Sequence, residues 1–433
     1  MKTILTSITA GSLLAAVAMA QTPRYTVTDL GTLPGGTFSQ ASVVNDNGLV
    51  TGLATGPDGA QHAVLWYKGH ILDISRRGLG GPNSGAFSVN ESGQVSVQAE
   101  ASTKDPNNEN FCVYGTGLQC LPAVWQNGVT TPLPLLGGNN GSVGIINNRG
   151  EMVGFAENGT RDPACPPGVE LSGTGPQVLD FEAVIWGPRH GQIRELHPLR
   201  GDTVGIGLGI NDNGQAVGVS GSCANTLLPP LALGPHAALW DKDGSAHDLG
   251  NLGGAVVNVA FSVNNQGQVV GFSSLSADST PFHSTHAFLW TKATGMRDLG
   301  TLPGDVVSGG ESINDRGQVV GPSFDANGNP RAFLWHNGVM TDLNTLVPAG
   351  APLYLLFALA INSRGEIAGF GVTGTGDVHG FLATPSCGNA GHERISDASS
   401  GATSPPAISE DARRLLDQRL PFGRIGAWPT GER

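Results

Sequence analysis

Charge is scarce in this sequence: Asp, Glu, Lys and Arg make up 13% of its 433 residues. Helical bundles cover their outer faces with such residues, so the composition speaks against that architecture. Basic residues are the rarer sign, 23 against 35 acidic ones, for a formal charge of −12. A nucleic-acid partner requires clustered Lys and Arg, and none is expected here. After the first twenty residues no apolar run approaches the roughly 18 residues of a membrane-spanning helix, so no transmembrane segment is expected. Neither a Gly-x-Ser-x-Gly elbow nor a His-Glu-x-x-His pair occurs, which removes the most recognisable hydrolase and metalloprotease signatures.

What is plentiful is glycine, 65 residues, with 28 prolines. Many short strands joined by tight turns use residues in this way. At the N-terminus Lys2, the apolar stretch Ile4 to Val17 and the small residues Ala18-Met19-Ala20 form a secretory signal over residues 1–20. Gln21 is then the expected mature N-terminus, and the expected location is outside the cytoplasm, periplasmic or secreted.

A turn motif recurs seven times, at Asn45-Asp46-Asn47-Gly48, Asn90-Glu91-Ser92-Gly93, Asn147-Asn148-Arg149-Gly150, Asn211-Asp212-Asn213-Gly214, Asn264-Asn265-Gln266-Gly267, Asn314-Asp315-Arg316-Gly317 and Asn362-Ser363-Arg364-Gly365. Each follows an apolar residue and precedes a β-like run such as Gln318-Val319-Val320-Gly321, the pattern of strand, hairpin turn, strand. An apolar run ending in Trp66, Trp125, Trp186, Trp240, Trp290 or Trp335 comes next, with Phe381-Leu382 in the seventh copy. After that stands an acidic residue before Leu or Ile, as in Asp73-Ile74, Asp298-Leu299 and Asp342-Leu343. Four strands per copy, a to d, repeated seven times, predict an all-β fold: a seven-bladed β-propeller of four-stranded antiparallel blades spanning residues 21–385.

The ends of the array predict how the ring closes. The seventh copy stops at Ala383-Thr384-Pro385 without a strand d, whereas Tyr25-Thr26-Val27-Thr28-Asp29-Leu30 is a strand d with no blade before it. If the N-terminal strand completes the last blade, no sheet edge is left open. Residues 386–433 hold 12 charged residues in 48, with the run Ser399 to Pro406, and read as a disordered tail in which Ser409 to Leu420 could form a short capped helix.

Spacing singles out one rim. From Trp to the next turn Gly the chain runs 25 to 30 residues, but from turn Gly to Trp it runs 18, 32, 36, 26, 23 and 18. The long insertions therefore fall between strands b and c of blades 2 to 5, on the rim shared with the d-to-a links. Insertions gathered on one face of a repeat array mark a binding face.

The units His286-Ala287-Phe288-Leu289-Trp290 and Arg331-Ala332-Phe333-Leu334-Trp335, with Ile313-Asn314-Asp315-Arg316-Gly317 between them, resemble the HAF-repeat family of bacterial extracellular proteins. The resemblance spans Tyr25 to Pro385 and implies a surface or secreted repeat protein. It brings no catalytic residues or cofactor.

Several residue sets invite chemistry. The position that opens strand c holds His62, Glu182, His236, His286, Arg331 and His379. Inter-blade hydrogen bonding or a solvent-facing role is the expected reading, and a metal-binding ring the alternative, which Arg331 opposes. The Asn-Asp-Asn-Gly turns lack the bidentate Glu of an EF-hand, so a calcium role for Asp46 or Asp212 is the alternative to a plain hairpin turn. Gly369 to Gly374 matches a dinucleotide fingerprint, but no helix follows to receive a pyrophosphate, and a Gly-rich strand is expected. The acidic residues of the insertions, Asp105, Glu109, Asp162, Glu170 and Asp278, show no pairing in sequence, and a pair of catalytic carboxylates on different blades stays open.

Four cysteines, Cys112, Cys120, Cys165 and Cys223, lie in the insertions, which in an exported protein favours disulfides; 112–120 with 165–223 is the preferred of three pairings, leaving Cys387 over. The strand-c tryptophans are expected to pack inside blades, with carbohydrate stacking as the alternative. The functional expectation is a monomeric, non-enzymatic scaffold that binds a protein or glycan through the insertion rim. The alternative is an exported propeller hydrolase or lyase acting on polysaccharide from an axial acidic site.

Overall fold

The structure, a computed structural model, describes residues 24–112, 114–161, 177–223, 225–226, 234–276, 284–386, 406–410 and 413. The signal segment lies outside them, as do Asp162, Cys165, Glu170, Asp278, Cys387 and most of the tail.

The described chain forms seven antiparallel sheets, each built mainly of four strands in sequence order, and together they make a seven-bladed β-propeller. Blade 1 shows the unit: strand a Ser39–Val44, b Val50–Thr55, c Gln61–Tyr67 and d His70–Asp73. Blade 6 departs from it, its strand a broken into Asp305–Ser308 and Ser312–Ile313. The seventh sheet is closed by Arg24–Asp29, which pairs with Val378–Ser386 in the register Tyr25 to Pro385 and Asp29 to Phe381. The circular offset expected from the two chain ends is therefore present, and every blade has its outer strand.

A blade is sandwiched between two neighbours, so its middle strands bury both faces. Strand b is buried along its whole length in blades 1, 4 and 5, which is why it reads Val-Val-Gly-Phe and not as an apolar and polar alternation. Trp66, Trp186 and Trp240 are buried between blades. The indole N–H of Trp186 donates to the Pro134 carbonyl at 2.7 Å, and that of Trp240 to the His197 carbonyl at 2.7 Å, tying each blade to the one before. For these tryptophans packing is the observed role. The Gly369 fingerprint lies in strand b of blade 7, Ile367–Thr373, again as expected.

Strand a carries a bulge in most blades. The ladder slips between Ala41 and Val43, Ala86 and Ser88, Gly207 and Gly209, Ala260 and Ser262, and Ala358 and Ala360. The skipped residue is always the third before the turn Asn. Strand-b glycine permits this: a Cβ on Gly271 would lie 1.8 Å from the Val259 carbonyl oxygen, and one on Gly154 2.1 Å from that of Ser142. A bulge takes its residue out of the ladder and re-aims its side chain.

On the insertion rim the axis is filled. Phe38, Phe155, Phe181, Val204, Val257, Phe272, Val307 and Phe357 form one buried cluster drawn from six blades. Phe111, Cys112 and Cys120 of the blade 2 insertion join it, and Ile408 of the tail packs against it. Ser409 N–H donates to the Gly376 carbonyl, and Arg413 N–H to that of Ser409; most of the helix expected over Ser409 to Leu420 lies outside the described residues. Cys112 and Cys120 are disulfide-bonded to each other. Cys223 is also disulfide-bonded, and its expected partner Cys165 lies outside the described residues. No helix among the described residues is long and apolar enough to cross a membrane.

Candidate functional site

The turn motif does more than reverse the chain. In each copy the Asn side-chain oxygen accepts the backbone N–H groups two and four residues ahead, as Asn211 does from Asn213 at 3.1 Å and Gln215 at 2.9 Å. Its amide then donates to the carbonyl of the equivalent Asn in the next blade. Asn45 reaches Asn90, Asn90 reaches Asn147, and the series continues through Asn211, Asn264, Asn314 and Asn362 back to Asn45, at 2.9 to 3.2 Å. Seven inter-blade bonds thus close a ring around the axis. An amide supplies both the acceptor and the donor this requires.

A second ring lies outside the first. The N–H of the residue after each Asn donates to the side chain of its counterpart in the next blade: Asp46 to Glu91 at 2.8 Å, Glu91 to Asn148 at 3.0 Å, Asn148 to Asp212 at 2.8 Å, Asp212 to Asn265 at 2.9 Å and Asn265 to Asp315 at 2.8 Å. Ser363 N–H closes onto Asp46 at 3.1 Å. Between Asp315 and Ser363 the link differs, and the Arg316 guanidinium donates to the Ser363 carbonyl. Asp46 and Asp212, the calcium candidates, are thus spent as inter-blade acceptors.

Inside these rings is a cavity of about 390 Å³, lined by the inner strands and turns of all seven blades. Asp46, Glu91, Asp212 and Asp315 stand among its lining residues with Asn148, Asn265 and Ser363. Further in, Phe261, Glu311 and Leu359 line it from blades 5, 6 and 7. All three are third before the turn Asn, where the bulge, or in blade 6 the strand break, takes the residue off the ladder. The same position holds Ser42, Phe87, Gly144 and Leu208 in the other blades.

Glu311 is the one charged member of that set. It is half-buried and lines the cavity. Its carboxylate has no hydrogen bond or ion pair among the described residues, and burial pushes its pKa up to about 8. A Glu where the other repeats carry Ser, Phe, Gly or Leu was the signal in the sequence. It was missed because strict alternation along strand a does not anticipate the bulge.

The strand-c ring does not converge. His62 Nδ1 lies 3.1 Å from Asp73, His286 Nδ1 2.9 Å from Asp298 and His379 Nδ1 3.0 Å from Asp29, each within one blade. His236 pairs with Asp202 at 2.9 Å, in the link that enters its own blade, and Arg331 bridges Asp305 at 2.7 Å and Asp342 at 3.2 Å. Glu182 takes the position in blade 3 and is buried. Of the two roles expected, inter-blade bonding gives way to pairing within blades, because strand c begins beside the end of strand d, while the His236 side chain keeps 41% of its surface exposed. Among the described residues no group of three or more His, Cys, Asp or Glu is placed to hold a metal.

Of the insertion acids, Asp105 and Glu109 meet, joined by Glu157 of blade 3. Asn140 Nδ2 donates to Asp105 at 2.9 Å and to Glu157 at 3.1 Å. Glu109 accepts from the N–H groups of Val178 at 2.6 Å and Leu179 at 3.0 Å. All three carboxylates are buried. Burial, with the charges of Glu109 and Asp105 adding to it, pushes Glu157 up to about 8, and burial raises Glu109 too. The network fastens the blade 2 insertion to blade 3.

No family model matches the chain, and no curated protein does. Among solved structures it is similar to an oligogalacturonate lyase in complex with manganese, at 13% identity and a TM-score of 0.48, over 83% of this chain and 93% of that one. It is similar to the Pyrococcus horikoshii acylaminoacyl peptidase at 12% identity and a TM-score of 0.46, over 82% of this chain and 53% of that one. The chain thus spans about half the length of the peptidase. AofleA from Arthrobotrys oligospora matches at 10% identity and a TM-score of 0.34, over 81% and 84%. No functional residue is carried over from any of them.

Proposed function

We propose that this chain is an exported propeller of the HAF-repeat kind that works as a non-enzymatic binding protein, taking its ligand in the axial cavity of the turn rim. The cavity itself carries the reading. A pre-formed concave site with apolar walls and a few placed polar groups is the usual form of a small-ligand site, and here Phe261, Leu359 and Glu311 supply both. Binding is favoured over polysaccharide cleavage by how the acids are used. Glycoside hydrolysis takes two carboxylates free to flank one bond; Asp46, Glu91, Asp212 and Asp315 are each held as acceptors by the preceding blade. The lengths of the insertions favour a second contact surface on the opposite rim, for a protein or glycan.

The test is a screen of glycans, peptides and small organic molecules against the intact mature protein and a Ser262→Phe variant, which enlarges a residue lining the cavity in blade 5. Ligands that stabilise the first and not the second are expected. Equal binding by both overturns the axial reading, and turnover of any glycan to new ends overturns the non-enzymatic one.

A further inference from the structure

We infer that the axial cavity takes an organic monocation, a guanidinium or ammonium head on a short apolar body. This rests on the cavity being a ligand site, and goes further by naming the chemistry it selects. Glu311 is a half-buried carboxylate that lines the cavity and has no hydrogen bond or ion pair among the described residues. Desolvation favours its protonated form, and a bound cation is the partner that would stabilise the ionised carboxylate. Phe261, at the equivalent position of the adjacent blade, lines the same cavity, and cations are drawn to aromatic rings. Leu359 on the other side is apolar and suits the body of the ligand rather than its head.

The rest of the cavity agrees in sign. The other charged residues lining it are Asp46, Glu91, Asp212 and Asp315, and no Lys, Arg or His is among its lining residues. Three arginines sit on the same turns. Arg149 is paired with Glu151 at 2.6 Å, Arg364 with Glu366 at 2.6 Å, and Arg316 reaches the Ser363 carbonyl. The field at the mouth is therefore negative and concentrates cations. A bare divalent ion is a poorer fit, because calcium takes six to eight oxygen ligands and the cavity wall offers one free carboxylate.

Butylguanidinium, its neutral isostere butylurea and the anion pentanoate are suitable probes, with calorimetry and thermal melting as readouts on the mature protein. Butylguanidinium is expected to bind at least tenfold more tightly than butylurea, and pentanoate not at all. Glu311→Gln is expected to remove that preference while leaving the melting temperature of the free protein as high or higher. The guanidinium stays charged across the range, so affinity is expected to rise by up to about tenfold per unit from pH 6 towards pH 8 and then level as Glu311 ionises, a dependence absent in Glu311→Gln. A blocked Gly-Arg-Gly peptide separates the two sources of such a head. Binding at least as tight as the free probe assigns it to a protein side chain, and weaker binding to a small molecule.

Equal affinity for butylguanidinium and butylurea, lost in Ser262→Phe, overturns the choice of cation and leaves the axial site standing. No binding of any probe overturns the inference, and a ligand from the wider screen that Ser262→Phe binds unchanged overturns the axial site as well.

Discussion

His379 and Asp29 lie 350 residues apart in the chain and 3.0 Å apart in the fold. The pair repeats what His62 makes with Asp73 and His286 with Asp298. In all three the aspartate also accepts the N–H two residues ahead, Gly31 at 2.8 Å, Ser75 at 2.9 Å and Gly300 at 2.7 Å. The Asp-Leu signature of strand d is thus a joint between strand c and the link to the next blade. At Asp29 that joint closes the ring.

Burial pushes the Asp29 pKa up, but the hydrogen bonds from His379 and Gly31 outweigh it and leave it below the ordinary aspartate range. A folded-state pKa below the unfolded one means stability that is present above about pH 4 and lost as pH falls through the folded value. Asp29→Asn is expected to cost about 1–2 kcal/mol at pH 7 and less at pH 3, read by urea unfolding. Deleting residues 21–30 is expected to abolish cooperative unfolding, and attaching the same segment after Ser386 to restore it. A deletion with an unchanged transition would refute the closure.

The Asn ring makes a sharper prediction at Asn211, whose amide reaches the Asn264 carbonyl at 2.9 Å. Asn211→Asp keeps the acceptor that holds the turn and replaces the donor with a charged oxygen facing a carbonyl. The expected cost is about 2–3 kcal/mol at pH 8. Protonation restores a donor, so the introduced carboxyl has a raised folded pKa and the cost shrinks as pH falls towards 4. Thermal melts at pH 4.5 and 8 check this; a cost independent of pH would show that the donor is dispensable.

Glu157 tests the lock between blades 2 and 3. Its pKa of about 8 lies above that of an unfolded Glu, so the folded state holds the proton longer and stability falls as pH rises from about 4.5 to 8, then levels. Glu157→Gln is expected to flatten this slope and to gain roughly 1–3 kcal/mol at pH 8 relative to the native protein. Amide exchange at Val178 and Leu179, which donate to the neighbouring Glu109, reports the same loosening locally. An unchanged slope in the variant would show that the carboxylate is ionised throughout.

Seven blades, their strand order, the closing strand and the rim that receives the insertions were all legible in the sequence, because each rests on a local pattern that recurs. An Asn-x-x-Gly turn, an apolar run ending in Trp and an Asp before Leu are properties of one repeat. Their count and the unequal ends then leave one way to pair every edge. What the sequence did not reveal are relations between repeats. The amide of Asn45 is spent on Asn90 one blade away, and Glu157 meets Asp105 only because the blade 2 insertion leans onto blade 3. Glu311 lines the axial cavity where strand a of blade 6 is broken. Turn chemistry is set by neighbours along the chain, whereas the partner of a side chain, and whether it has one, is set by which blades lie beside it.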